Sequence, residues 1–319
     1  MKLTRRSMIA AAAVLALPMQ GLAAEPALKV VATTGMIADA AMRVGKDVVE
    51  VKALMGPGVD PHAYRQTRTD IVAMGQADLV LWNGLYLEAQ LEDVLGQIGS
   101  RTAVRAVAEA VQSERLMGHD DYADRFDPHV WMDPALWSDV VFAVRDAMIE
   151  VSPENAEDFT VNAAAFVSEI SALGAYSDRV LASVPEPARV LITAHDAFNY
   201  FGRAYGFEVV GIQGISTESE AGLNRMTELV DMLVDRGIAS VFVESSVSDR
   251  SVRALIEGAA ARGHDVRIGG ELFSDAMGAP GTYEGTYIGM IDHNVTTISS
   301  GLGGVAPERG LNGRLSAGS

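Results

Sequence analysis

The sequence predicts an α/β protein of two similar lobes, each a mostly parallel sheet flanked by helices, joined by one long rigid helix. Three observations carry this reading. Short β-branched or apolar runs alternate with stretches of helical period, the pattern of strands covered by helices. That alternation occurs twice along the chain. Between the two occurrences lies a segment of unbroken helical periodicity. At 319 residues the chain has enough length for two units that each bury a core.

In the first half the expected strands are 28–34 (LKVVATT), 48–55 (VVEVKALM), 78–82 (DLVLW) and 102–107, with helical stretches at 36–44 and 69–76. The second half repeats the plan with 189–193 (RVLIT), 208–212 (EVVGI), 240–244 (SVFVE) and 265–268. Helices at 221–236 and 250–262 fall between them. The linking helix starts at Ser152-Pro153-Glu154, which supplies a cap, a proline at the first helical position and an acidic first turn. Apolar residues then recur at Phe159, Ala163, Phe166, Ile170, Leu173 and Val180 until Pro185 and Pro187 stop the helix. The expected division is therefore 1–24 leader, 25–151 first lobe, 152–184 linking helix and 185–319 second lobe. A helical rod between lobes suits a protein that holds a ligand without a large swing.

Composition removes several function classes. With 25 Lys+Arg against 42 Asp+Glu, the formal charge is −17, so the surface repels nucleic acid and anionic lipid. The absence of cysteine removes disulfide scaffolds, thiolate metal sites, cysteine nucleophiles and acylation of a lipoprotein cysteine. Any metal must be held by His and carboxylate. The leader has a positive start at Lys2, Arg5 and Arg6, an apolar run from Met8 to Leu17, and small residues at Gly21, Ala23 and Ala24. That is a cleaved secretory signal, so the expected location is the periplasm, with no lipid anchor. Thr4-Arg5-Arg6-Ser7 also fits a twin-arginine signal, leaving that route and the Sec route both open. Removing residues 1–24 takes away three positive side chains and no negative one, so the charge moves from −17 to −20.

The chemistry lies in six histidines. Two share a tripeptide, Asp60-Pro61-His62 and Asp127-Pro128-His129, and a third, His195, directly follows the strand Val190-Leu191-Ile192-Thr193. Open α/β sheets bind ligands beyond the carboxyl ends of their strands, where these residues sit. Asp275, after Gly269-Gly270-Glu271-Leu272-Phe273-Ser274, is a fourth candidate. Two ligands from each lobe would satisfy the tetrahedral preference of zinc. Asp60 and Asp127 could orient the neighbouring rings. Taken by spacing alone, a solvated loop histidine remains the alternative reading for each, and Asp-Pro also simply begins turns.

The strings GPGVDPHAYRQTRTD (56–70), DPHVWMDP (127–134), TAHDAFNYFGRAYGF (193–207), GISTESEAG (214–222) and GGELFSDAMG (269–278) resemble, in order, the motifs of the zinc- and manganese-binding receptors of ABC transporters, the TroA-like cluster A-I family. The resemblance runs from about Leu28 to Gly301. It implies two α/β lobes on a rigid helix, one divalent metal ion in the cleft, the ligands His62, His129, His195 and Asp275, and a membrane permease as partner. Two departures bear on the metal. The segment Met117 to Phe126 holds only His119, where many zinc-specific members carry a long His-rich loop, so it reads as a solvated acidic loop or at most a weak accessory site. His195 stands where many manganese-dedicated members have Glu, which moves the balance toward Zn²⁺ with Mn²⁺ as the alternative.

Among the remaining residues, Trp82 and Asn83 are expected beneath the cleft, Trp131 and Trp137 in packing, Glu218 and Glu220 at a helix start, and His293 on a solvated helix face. The glycine tracts lack a phosphate-cradle context, and Ser245, Ser246 and His264 form no hydrolase constellation. A closed four-ligand site fits a receptor; the alternative classes are a metal-dependent hydrolase with an open zinc position, for which no paired ligand and base is present, or an extracellular adhesin on the same fold. The expectation is a monomeric receptor, not an enzyme, that captures the ion and delivers it to the permease, with a metallochaperone as a further candidate partner.

Overall fold

The computed structural model describes residues 27–119 and 122–316; the expected leader lies outside them. The first lobe begins β1 (Leu28–Ala32), α1 (Gly35–Gly45), β2 (Val49–Ala53), α2 (Arg68–Gly75), β3 (Leu79–Trp82), α3 (Glu92–Ile98) and β4 (Ala103–Ala106). Its four strands form one parallel sheet in the order β2-β1-β3-β4. Alternation along β1 and β3 explains why both faces of that sheet are covered. Val30, Ala32, Leu79 and Leu81 enter the main core, while Val31 and Val80 enter a smaller one with Met74, Leu91 and Leu95.

A short antiparallel hairpin follows, β5 (Gly118–His119) and β6 (Tyr122–Phe126). The segment expected as an acidic loop thus carries a short two-stranded ladder. Then come α4 (Pro134–Val151) and α5 (Ala156–Leu181). Helix α4 was not expected from the sequence, although its start is written clearly: Asp133 caps it, accepting the Ala135 N–H at 2.8 Å, and Pro134 occupies the first turn. The linking helix begins three residues later than expected, because Pro153–Asn155 forms a 3₁₀ turn. Its 26 residues span about 39 Å at 1.5 Å per residue. All six apolar positions named in its pattern are buried.

The second lobe contains β7 (Val190–Thr193), α6 (Asn199–Tyr205), β8 (Glu208–Gly211), α7 (Leu223–Arg236), β9 (Ser240–Glu244), α8 (Arg250–Ala261), β10 (Arg267–Leu272) and α9 (Tyr287–Gly301). Its strands pair in parallel as β7 with β8 and β9 with β10, and β7 lies alongside β9. The parallel strands expected for this lobe are present, in two ladders that lie side by side. A bulge at Gly270 (φ 153°) offsets β10; a Cβ there would come within 2.3 Å of Thr297, so the close approach of α9 requires glycine.

Helix α5 packs on α1 and α4 of the first lobe and on α9 of the second. One apolar core consequently runs from Val30 and Ile37, through Phe159, Phe166 and Leu173, to Phe242, Met290 and Ile298. The lobes are joined through shared interior and not by a flexible strap. Among the described residues no helix is long and apolar enough to cross a membrane.

Candidate metal centre

Each expected site residue sits on a loop leaving an element of one lobe, and all four are buried: His62 after β2, His129 ahead of α4, His195 directly after β7 and Asp275 after β10. The structure brings all four together. One donor atom from each lies within 4.8 Å of the others. The His62 and His129 Nε2 atoms are 3.2 Å apart, and Asp275 carboxylate oxygens lie 3.1 Å from His195 Nε2, 3.5 Å from His129 Nε2 and 3.9 Å from His62 Nε2. A tetrahedral ion with bonds of 2.0–2.1 Å needs donors about 3.3 Å apart. His195 Nε2 and both Asp275 oxygens are buried without a hydrogen-bond partner, a costly state for polar atoms unless something sits between them.

The two Asp-Pro-His turns are built alike and used differently. In each, the Asp Oδ1 accepts the backbone N–H of the His two residues on, at 2.9 Å, which closes the turn that proline preorganises. Asp127 also takes the His129 Nδ1–H at 2.7 Å, fixing the tautomer with Nε2 free for an ion. Asp60 accepts instead from the Thr217 hydroxyl of the second lobe. It therefore orients the turn and not the ring, which corrects half of the expectation. The carboxylate that serves His195 is Glu244 at the end of β9. It accepts the His195 backbone N–H at 2.9 Å and faces Nδ1 at 2.5 Å. Sequence reading missed Glu244; its only signal was an acid ending an apolar strand.

Asp275 is held by its loop. The Asn294 side chain on α9 receives the Phe273 N–H and donates to the Phe273 carbonyl, at 2.9 and 2.7 Å, and the Trp131 indole N–H donates to the Ser274 carbonyl at 2.8 Å. Trp131 also packs edge-on against the His129 ring, its centroid 5.2 Å away. It is thus a packing residue, as expected, that additionally walls the centre. Trp137 is buried and stacks on Tyr287.

Electrostatics follow from burial and proximity. Burial, with the His129 and His195 rings adding to it, lowers His62 to about 3, so it stays neutral. Burial also opposes charge on His195, but Asp275 and Glu244 outweigh it and raise that imidazole well above its ordinary value. Asp275 is pushed up by burial and pulled further down by the histidines, His195 foremost, ending well below the carboxylate range. An ionised Asp275 thus faces the His195 ring at the middle of the cluster.

Other residues fall outside it. His293 is buried on α9, donating through Nε2 to the Glu271 carbonyl at 2.9 Å, with Phe273 against its ring; the expected solvated face is corrected. His264 bonds the Ile238 carbonyl. Glu218 precedes α7, which starts at Leu223, and accepts from Gln90 of the first lobe at 2.7 Å across the cleft mouth. Asn83 does lie beneath the cleft, buried, with its amide on the Pro128 carbonyl at 3.1 Å.

Comparison with known proteins shows the family. The family model for the zinc-uptake complex component A, periplasmic, matches residues 30–301. The manganese-binding lipoprotein MntA of Bacillus subtilis is 47% identical over 282 residues, covering 88% of this chain and 92% of its own. The zinc-binding protein TroA of Treponema pallidum is 46% identical over 273 residues, 86% and 88% of the two chains. Its solved structure superposes with a TM-score of 0.84, covering 86% of this chain and 99% of that one. The iron-binding protein YfeA of Yersinia pestis is 32% identical over 275 residues, 86% of each. Several relatives are named lipoproteins, which contradicts the expectation of a receptor without a lipid anchor; that expectation is withdrawn. The relatives are binding proteins, not enzymes, and the chain belongs to the family of periplasmic zinc-uptake components, metal-binding receptors of ABC transporters.

Proposed function

We propose that this protein is a periplasmic receptor that captures one divalent transition-metal ion between its lobes, on His62, His129, His195 and Asp275, and delivers it to the membrane permease of an ABC transporter. The observation that carries the reading is the convergence of four buried donors, two from each lobe, with three of their atoms otherwise unpartnered. Three imidazoles and one carboxylate favour Zn²⁺ over the harder Mn²⁺. The relatives divide between zinc, manganese and iron, so the preference rests on the donor set of this chain. We assign residues 25–151 and 185–319 to the lobes, 152–184 to the linking helix and 1–24 to a cleaved leader exported by the Sec or twin-arginine route, and read the receptor as a monomer with no nucleic-acid partner.

In this reading the ion displaces the proton carried by the His195 imidazole, and the imidazoles present Nε2 because carboxylates hold Nδ1 of His129 and His195. Titration of the metal-free protein with Zn²⁺ and Mn²⁺ tests the assignment. One tight site that prefers Zn²⁺ supports it. Full retention of Mn²⁺ beside available Zn²⁺ reverses the choice of metal.

A further inference from the structure

The mouth of the centre carries strain that the four ligands do not explain. After β3 the chain passes through three consecutive residues in the left-handed region, Gly84 (φ 78°), Leu85 (φ 53°) and Tyr86 (φ 71°). Two of them are not glycine, and such outliers persist only where the surroundings enforce them. The group that binds the start of this turn is Glu88, which is fully buried. Its Oε1 accepts the Thr33 hydroxyl at 2.6 Å and the Asn83 N–H at 2.8 Å, and its Oε2 accepts the Gly84 N–H at 3.2 Å. Asn83 in turn donates to the carbonyls of Gly84 and Pro128, both at 3.1 Å, and Pro128 precedes the ligand His129. The turn walls a cavity of about 30 Å³ beside His62, lined also by Phe126, Pro128 and Ile215, room for a water or two.

We propose that Glu88 is a positioning residue that sets the coordination number of the metal centre: it holds the left-handed turn Gly84–Tyr86 closed against His62 and, through Asn83, holds the His129 turn, so that no added water reaches the ion. A turn relaxed to the right-handed region would move Leu85 and Tyr86 and widen the cavity beside the ligands. Water could then join as a fifth or sixth ligand, and the preference for a four-coordinate ion would fall. This inference rests on the proposed ligand set.

Co²⁺ is the probe, because a four-coordinate ion absorbs strongly in the visible and a six-coordinate ion weakly. The wild-type receptor is expected to give the strong spectrum; a weak one would defeat the four-ligand reading itself, whatever Glu88 does. E88Q places an amide NH₂ against either the Gly84 N–H or the Asn83 N–H, so one backbone donor loses its acceptor. The variant is expected to show the weakened spectrum and to lose about 10–100-fold in Zn²⁺ affinity, with a smaller loss for Mn²⁺. Adding Tyr86→Asn, which tolerates the left-handed region, is expected to recover much of the spectrum. Should E88Q not fold, Asn83→Ala keeps Glu88 and cuts the link to Pro128, and the same weakening is expected. A wild-type Co²⁺ spectrum in whichever of these variants folds, at any affinity, overturns the proposal.

Discussion

At the residue scale, carboxylates stand behind two of the imidazoles, Asp127 behind His129 and Glu244 behind His195. Removing the ring itself, His195→Ala, is expected to abolish most metal binding while the far-ultraviolet spectrum stays native; near-normal Zn²⁺ affinity would take His195 out of the set. Glu244→Gln keeps shape and loses charge, so Zn²⁺ affinity is expected to fall about 10–100-fold by calorimetric titration. Protons act in the same place. His62 is lowered to about 3 in the fold against 6.5 unfolded, so the unfolded chain binds the extra proton between those values. Metal-free stability contributed by neutral His62 is therefore complete above pH 6.5 and lost as pH falls toward 3, which denaturant melts across that range would show. Bound metal, which needs neutral imidazole, is expected to leave in the same direction. His62, His129 and His195 were legible because an Asp-Pro-His repeat and a strand end mark them. Glu244 and Glu88 were not, since their roles arise from contacts 49 and 55 residues away, to His195 and Thr33.

Elements show the opposite balance, with local pattern carrying most of the information. Strands β1 and β3 of the first lobe were readable as apolar runs, because both faces of the sheet are buried there. The linking helix was readable because its apolar stripe keeps a helical period, and that stripe is the common wall of both lobes. Phe166→Ala, in this wall and nearly fully buried, is expected to cost about 3–5 kcal/mol in chemical denaturation. Val161→Ala on the exposed face of the same helix is expected to stay within about 0.5 kcal/mol. Helix α4 went unread even though Asp133 and Pro134 announce it and its buried residues Leu136, Val140, Val144 and Ala147 recur at helical spacing.

For the whole molecule, a core continuous through α5 makes the lobes one mechanical body, and the centre is the place where loops from both meet. Bound ion should therefore stabilise the entire chain in one transition. At a free metal concentration 1,000 times the dissociation constant the gain is about 4 kcal/mol, seen as a higher single melting midpoint; separate transitions for two lobes would contradict a shared core. The net charge of −17 helps to concentrate cations near the cleft but selects none. Selection belongs to four buried donors, and the most direct measurement is a crystal structure of the Zn²⁺-loaded protein with anomalous scattering at the zinc edge. The expected result is one ion with bonds of about 2.0–2.2 Å to Nε2 of His62, His129 and His195 and to Asp275. An ion outside this cluster, or one bound without any of the four, would contradict it.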